Sequence, residues 1–239
     1  MEYSYLKLIE SEVDNIEYNE DVAQEPTTSR QDWHAARLGK LTASRFEDMM
    51  TKGRGKDERF GVACLKYAYE KVAEILTNAP HIVTSQAMEW GSELESEACA
   101  KYEEETGYSV VPGSVVGFYP YGDYAGGSPD GLVGDDGIIE IKCPFNSANH
   151  VETLLTNKVP DKYIFQVQGN LMVTGREWCD FVSYDPRVQE PSLRLVIIRV
   201  HRDEEVIQSI KDRITEVSAL IQKLVSQLKA SPGKQDDNV

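Results

Sequence analysis

A mixed α/β (α+β) domain, with a central mixed sheet flanked by helices and a long C-terminal helix, is the fold this sequence predicts. Three observations carry that prediction. Helix-period apolar patterns at residues 61–77 and 85–106 give way to short strand-like runs between residues 110 and 142. Helical patterns return at 147–174, and strand patterns at 178–184 and 193–200. Last, apolar residues at 207, 210, 214, 217, 221, 224 and 228 mark one closing helix from about Asp203 to Leu228. That 3,4 alternation suits packing on its own domain or a coiled-coil seam between subunits.

The 239 residues fit one large domain with extensions, and 41% apolar residues can fill its core. Residues 1–29 hold eight acids and one lysine, which reads as an acidic N-terminal arm. Residues 30–230 read as a single domain, and 231–239 as a polar tail. The net charge of −15 argues against a uniformly basic nucleic-acid surface. Residues 30–60, however, hold eight Lys/Arg against five acids, so a local basic groove is compatible with the total. Cys64, Cys99, Cys143 and Cys179 are widely spaced and away from the histidines, which counts against zinc and fits reduced thiols. No leader and no membrane-length apolar run is seen, so a cytoplasmic protein is expected.

In chain order, Thr42 or Ser44 can cap a helix starting near Ala43, with Phe46, Met49 and Met50 inward. Arg37 lies just upstream, and Ser44 and Arg45 lie at that helix start, either as an anion pocket or as an ordinary capped helix with a surface arginine. Residues 52–60, KGRGKDERF, form a basic loop that could track phosphates or simply be solvated. On the 61–77 helix, Val62, Leu65, Ala68, Tyr69, Val72 and Leu76 make the predicted inner stripe. The 85–106 helix ends at Gly107 and carries Glu95 on the stripe of Gly91, Ala98 and Tyr102. Glu93 and Glu97 fall on its solvated side. An inward Glu95 needs a partner, either a metal ion or a basic side chain. A strand from Val110 to Phe118, interrupted at Pro112-Gly113, leads into the centre of the chain.

That centre is Gly127 to Pro144, GSPDGLVGDDGIIEIKCP. Ser128-Pro129-Asp130-Gly131 and Asp135-Asp136-Gly137 are turns around short apolar runs, hence a β-hairpin. Glu140 and Lys142 are two apart on a strand and share a face; Ile139, Ile141 and Cys143 take the other. Asp130, Glu140 and the Ile141 carbonyl offer the hard oxygens that Mg²⁺ prefers, with Lys142 as a charge beside a reacting phosphate. The bland alternative is a surface hairpin with a solvated Glu/Lys pair. Helices then follow at Ser147–Asn157 and from Pro160 to Thr174, where Tyr163, Gln166 and Asn170 share a polar edge.

The order of elements, with Asp130…Glu140-Ile141-Lys142, resembles the PD-(D/E)xK nucleases. Trp33-His34…Arg37-Leu38-Gly39…Thr42-Ala43-Ser44, Trp90-Gly91…Glu95, Ser128-Pro129-Asp130-Gly131, Glu140-Ile141-Lys142-Cys143-Pro144-Phe145, Tyr163…Gln166-Val167-Gln168 and Tyr184-Asp185-Pro186-Arg187 narrow it. Together, over residues 31–200, they resemble the phage lambda exonuclease and YqaJ-type viral recombinase family. The resemblance implies an Mg²⁺-dependent 5′→3′ exonuclease, with Mn²⁺ as a substitute, acting on linear duplex ends and leaving 3′ overhangs for homologous recombination. It implies that Asp130, Glu140, the Ile141 carbonyl and Glu95 bind metal and that Lys142 acts on the attacking water. Arg37, Ser44, Ser128 and Gln166, with Tyr163 and Arg45 beside them, would hold the 5′-phosphate and DNA. Met88 would help split the duplex. A homotrimer, a single-strand annealing partner protein and a phage or prophage origin in a bacterial host are also implied. One family acid is missing here, since Pro120 stands at its spacing; Asp123 is the candidate substitute. A restriction-type endonuclease using the same site and a non-catalytic DNA-end-binding module are the competing readings.

Overall fold

A computed structural model describes residues 30–55, 59–81 and 84–230. The predicted acidic arm, part of the basic loop and the polar tail lie outside them. Helix α1 (Arg30–Arg37) passes through Gly39, left-handed at φ 71°, into strand β1 (Leu41–Thr42). A 3₁₀ turn at Ala43–Arg45 and a short helix α2 (Phe46–Met50) replace the single capped helix expected there. Neither Thr42 nor Ser44 caps it. Thr42 Oγ1 instead lies 3.4 Å from Ser44 Oγ and 3.3 Å from the Tyr67 hydroxyl, so tertiary bonding takes the capping group. Phe46 and Met49 are buried as expected.

Helix α3 (Val62–Thr77) forms where predicted but presents a different face to the core. Val62, Tyr69 and Leu76 are exposed, while Cys64, Tyr67, Ala68, Lys71, Val72 and Glu74 are buried. The buried charges satisfy one another: Lys71 Nζ donates to both Glu74 oxygens at 2.9 Å, and Glu74 also accepts from the Gly39 N–H. Helix α4 (Gln86–Thr106) starts at Ser85, whose hydroxyl accepts from the Met88 N–H, and ends at left-handed Gly107.

The expected strand across Pro112-Gly113 is instead β2 (Val110–Pro112), a helical turn α5 (Gly113–Val116) and β3 (Tyr119–Tyr121). Then come β4 (Ala125–Gly127), β5 (Gly131–Val133) and β6 (Gly137–Lys142). Helices α6 (Ser147–Thr156) and α7 (Ile164–Thr174) cross over to β7 (Trp178–Tyr184), antiparallel β8 (Leu195–His201) and helix α8 (Glu204–Ala230). The main sheet runs β2-β5-β6-β7-β8, and a smaller one runs β1-β4-β3. Only β6–β7 is parallel in the main sheet, and α6 and α7 supply the crossover that a parallel pair requires. As the central strand, β6 is buried on both faces.

Ile207, Ile210, Ile214, Val217 and Ile221 of α8 pack with Phe46, Met49, Cys64 and Tyr67, so the apolar seam serves its own chain. Leu228, at its end, is exposed. Arg213 sits inside that seam and donates to the carbonyls of Met49, Thr51 and Arg59, fastening both ends of the basic loop. Among the described residues the four cysteines are free thiols, and no helix is long and apolar enough to cross a membrane.

Candidate active site

The β5–β6 hairpin and helix α7 build the floor of a cleft of about 1150 Å³. Alternation along β6 puts Glu140 and Lys142 on the face covered by α7, as the sequence predicts. Glu140 is wholly buried and takes three donors: Lys142 Nζ at 2.6 Å, Gln166 Nε2 at 2.5 Å and Asn170 Nδ2 at 3.0 Å. Asp130, from the turn before β5, accepts the Ile141 N–H at 2.6 Å. That bond sets the second carboxylate beside the backbone between Glu140 and Lys142. Tyr163 carries the Lys142 ammonium over its ring at 5.1 Å.

This packing leaves too much acid for its surroundings. Burial and then Asp130 push Glu140 up to about 7, against the pull of Lys142. Burial also raises Asp130, opposed by Lys142 and the Ile141 N–H. Glu95 faces the same cleft from α4; the cleft walls and Asp130 push it up to about 7 as well. Burial alone would lower Lys142, yet Glu140 and Asp130 outweigh it and hold the ammonium firmly protonated. Hard carboxylate oxygens that resist ionisation are a donor set that a divalent cation suits, because the cation removes the repulsion a proton would otherwise relieve. Among the described residues no three Asp, Glu, His or Cys groups converge closely enough to hold an ion alone. Asp130 and Glu140 would therefore need oxygens beyond side chains, and Ile141, between Glu140 and Lys142, lines the same cleft.

The opposite chemistry lines another part of the cleft. Arg37 stacks on Trp33 at 4.1 Å and lies 5.7 Å from the Phe118 ring. Among the described residues no carboxylate bonds its guanidinium. Burial lowers its pKa, countered in part by Tyr67 and Glu74. Trp33 also donates from Nε1 to Ser128 Oγ at 3.0 Å, so one indole positions both Arg37 and Ser128. Ser44 and Met88 line the cleft too, and both are exposed.

Arg45 is not brought there. It pairs with Asp48 at 2.5 Å and Glu70 at 3.1 Å and stacks on Tyr67, because the 3₁₀ turn sends it to the side away from Ser44. Gln166 reaches the cleft but spends its amide on Glu140. Asp123 is exposed beside Lys40 and does not line the cleft. Asn170, which sequence reasoning left off the site, was marked only by its four-residue spacing from Gln166. Glu97 is exposed, as expected, and accepts the Tyr184 hydroxyl at 2.5 Å.

Residues 32–177 match the model of the YqaJ-like viral recombinase domain. Among solved structures, the alkaline exonuclease LHK-Exo from Laribacter hongkongensis is 40% identical, with a TM-score of 0.75. The match covers 84% of this chain and 96% of that one, and LHK-Exo has also been solved in complex with dAMP. A phage-related exonuclease from Haemophilus somnus 129PT, at 16% identity and TM-score 0.66, shares the fold over 79% of this chain and 96% of its own. No curated protein matches. The family match spans more than half of the chain, and with it the cleft's carboxylates, Lys142 and Arg37: the chain belongs to the YqaJ-like viral recombinase family.

Proposed function

We propose that the chain is a metal-dependent deoxyribonuclease that degrades linear duplex DNA from its 5′ ends, leaving 3′ overhangs for strand annealing. One observation carries the reading. A carboxylate–lysine cluster, buried Glu140 with half-buried Asp130 and Lys142, shares one cleft with a half-buried arginine that has no carboxylate partner among the described residues. The likeness to an alkaline exonuclease supports it.

Asp130, Glu140 and the Ile141 carbonyl would hold Mg²⁺ or Mn²⁺, with Glu95 at the edge of the site. When bound, the cation supplies charge stabilisation for the attacking and leaving oxygens of phosphodiester hydrolysis. Lys142 keeps its proton beside Glu140 and offers a fixed positive charge to the scissile phosphate and its incoming water. Gln166 and Asn170 hold the Glu140 carboxylate in orientation, and Tyr163 holds the lysine. Arg37, Ser44 and Ser128 receive the terminal 5′-phosphate; Arg37 supplies a planar donor fork and Ser128 is pre-set by Trp33. Met88, 58% exposed on the first turn of α4, stands where an apolar side chain can wedge between paired strands. A homotrimeric ring and an annealing protein as partner belong to the same proposal. Lys142→Ala is expected to abolish cleavage while binding to duplex ends persists. Near-normal cutting by that variant would remove Lys142 from the reaction.

A further inference from the structure

We propose that Phe145 is a base-stacking platform at the cleft, taking the flat face of a nucleobase in the strand whose phosphate reaches Lys142. The inference rests on the nuclease reading above and adds a substrate contact to it. Phe145 lines the cleft three residues beyond Lys142, yet is 51% exposed. A phenyl ring left half in water forgoes burial worth about 1 kcal/mol or more, so its immobilisation there calls for a reason.

The immobilisation is specific. Arg187 donates from Nη1 to the Phe145 carbonyl at 2.9 Å and from Nη2 to the Pro144 carbonyl at 2.8 Å. Asp185, buried, grips the same guanidinium at 2.8 and 2.9 Å. That guanidinium lies 4.6 Å from the centre of the Trp90 ring, and Trp90 meets Phe145 edge-to-face at 6.3 Å. Just beyond, Asn146 accepts the Ala148 N–H and starts α6. The ring is thus braced by an indole, tethered through its own backbone on both sides and open to the cleft. The Tyr184-Asp185-Pro186-Arg187 segment, which the hydrolytic chemistry leaves without a task, gains one as the brace.

A rigid exposed aromatic suits a ligand with a flat π face, and every nucleobase has one, so the contact would not discriminate sequence. A nuclease that works along any DNA end needs such a contact, since hydrogen bonds to base edges would stall on unsuitable bases.

The test uses the full chain carrying Lys142→Ala, which leaves DNA uncut, and a duplex with 2-aminopurine as its 5′-terminal nucleotide. Stacking quenches that base. Phe145→Ala is expected to weaken end binding about five- to 150-fold, the range of one base–aromatic stack, and to change the quenching. Phe145→Trp should retain both, and Phe145→Leu, apolar without a π face, should behave like the alanine variant. Unaltered melting temperatures separate binding from folding. Unchanged affinity and fluorescence in Phe145→Ala would overturn the proposal, as would a leucine variant that matches the parent. A parent protein that bound no duplex end would overturn the nuclease reading and this inference together.

Discussion

Replacing Arg37 with alanine removes a cation that the fold has prepared and, among the described residues, left without a bonded carboxylate. The guanidinium is stacked on Trp33 at 4.1 Å, and desolvation lowers its pKa. A charge-assisted hydrogen bond contributes about 1.5–3 kcal/mol, and a bidentate fork on phosphate makes two. Water and the remaining serines recover part of that, so a net loss of about 2–3 kcal/mol is expected, or roughly 30- to 150-fold in affinity. The loss should appear only on ends that carry a 5′-phosphate. The assay compares equilibrium binding of 5′-phosphoryl and 5′-hydroxyl duplexes in the Lys142→Ala background, where no DNA is consumed. Arg37→Lys should recover part of the preference, because it restores charge without the fork. Because no ion pair among the described residues is broken, the free protein should lose only about 1–2 kcal/mol of stability, the worth of a partly desolvated cation–π contact. An unchanged phosphate preference in Arg37→Ala would refute the pocket.

Three further outcomes follow from the same contacts. Glu140→Gln should bind Mg²⁺ at least about tenfold more weakly, because a charged oxygen donor is lost; it should also narrow a stability gap. In chelator, burial-raised Glu140 destabilises the wild type as pH climbs from its unfolded value near 4.3 through about 7, so the protein should melt lower at pH 8 than at pH 5.5. A metal-free wild type that melts higher at pH 8, or a variant with the same gap, would contradict this. Asp185→Ala should cost about 2 kcal/mol near neutral pH. Burial tends to raise that carboxyl, but the bonds from Arg187 and Ser147 hold it at about 2, so its contribution is full above about pH 4 and fades as pH falls through 2. Urea titrations at pH 7 and pH 2.5 measure the difference, and an equal effect at both would deny the ion pair. Gly127→Ala would place a methyl 2.4 Å from Asn170 Oδ1 and push that amide off Glu140. A stability loss of about 1–3 kcal/mol with weaker Mg²⁺ binding is expected; unchanged metal affinity would show that Asn170 does not orient the carboxylate.

What the sequence revealed was local. Glu140 and Lys142 fell on one face because strand alternation needs no knowledge of neighbours. Helix α4 was legible from Ser85 to Gly107 because its caps are themselves sequence signals. What it concealed was set by distant partners. The inner face of α3 is shared by Tyr67, Lys71 and Glu74, whose polar atoms find Thr42, each other and Gly39, so counting apolar residues placed Ala68 and Val72 correctly but not Val62, Tyr69 and Leu76. Arg45 was misplaced because a 3₁₀ turn, not an α-helix, follows Thr42. Gln166 and Asn170 read as a polar edge open to phosphate, base or packing partners, and only the crossover that lays α7 over β6 shows that Glu140 claims both.

The central claim, cleavage from the 5′ end by the Asp130–Glu140–Lys142 cleft, is tested most directly with one linear duplex in Mg²⁺. It is labelled at the 5′ or the 3′ end and run beside a covalently closed circle. Immediate release of 5′ label, with the circle intact and no release by Lys142→Ala, is the predicted result. Nicking of the circle, early loss of 3′ label, or no cleavage in either Mg²⁺ or Mn²⁺ would contradict it.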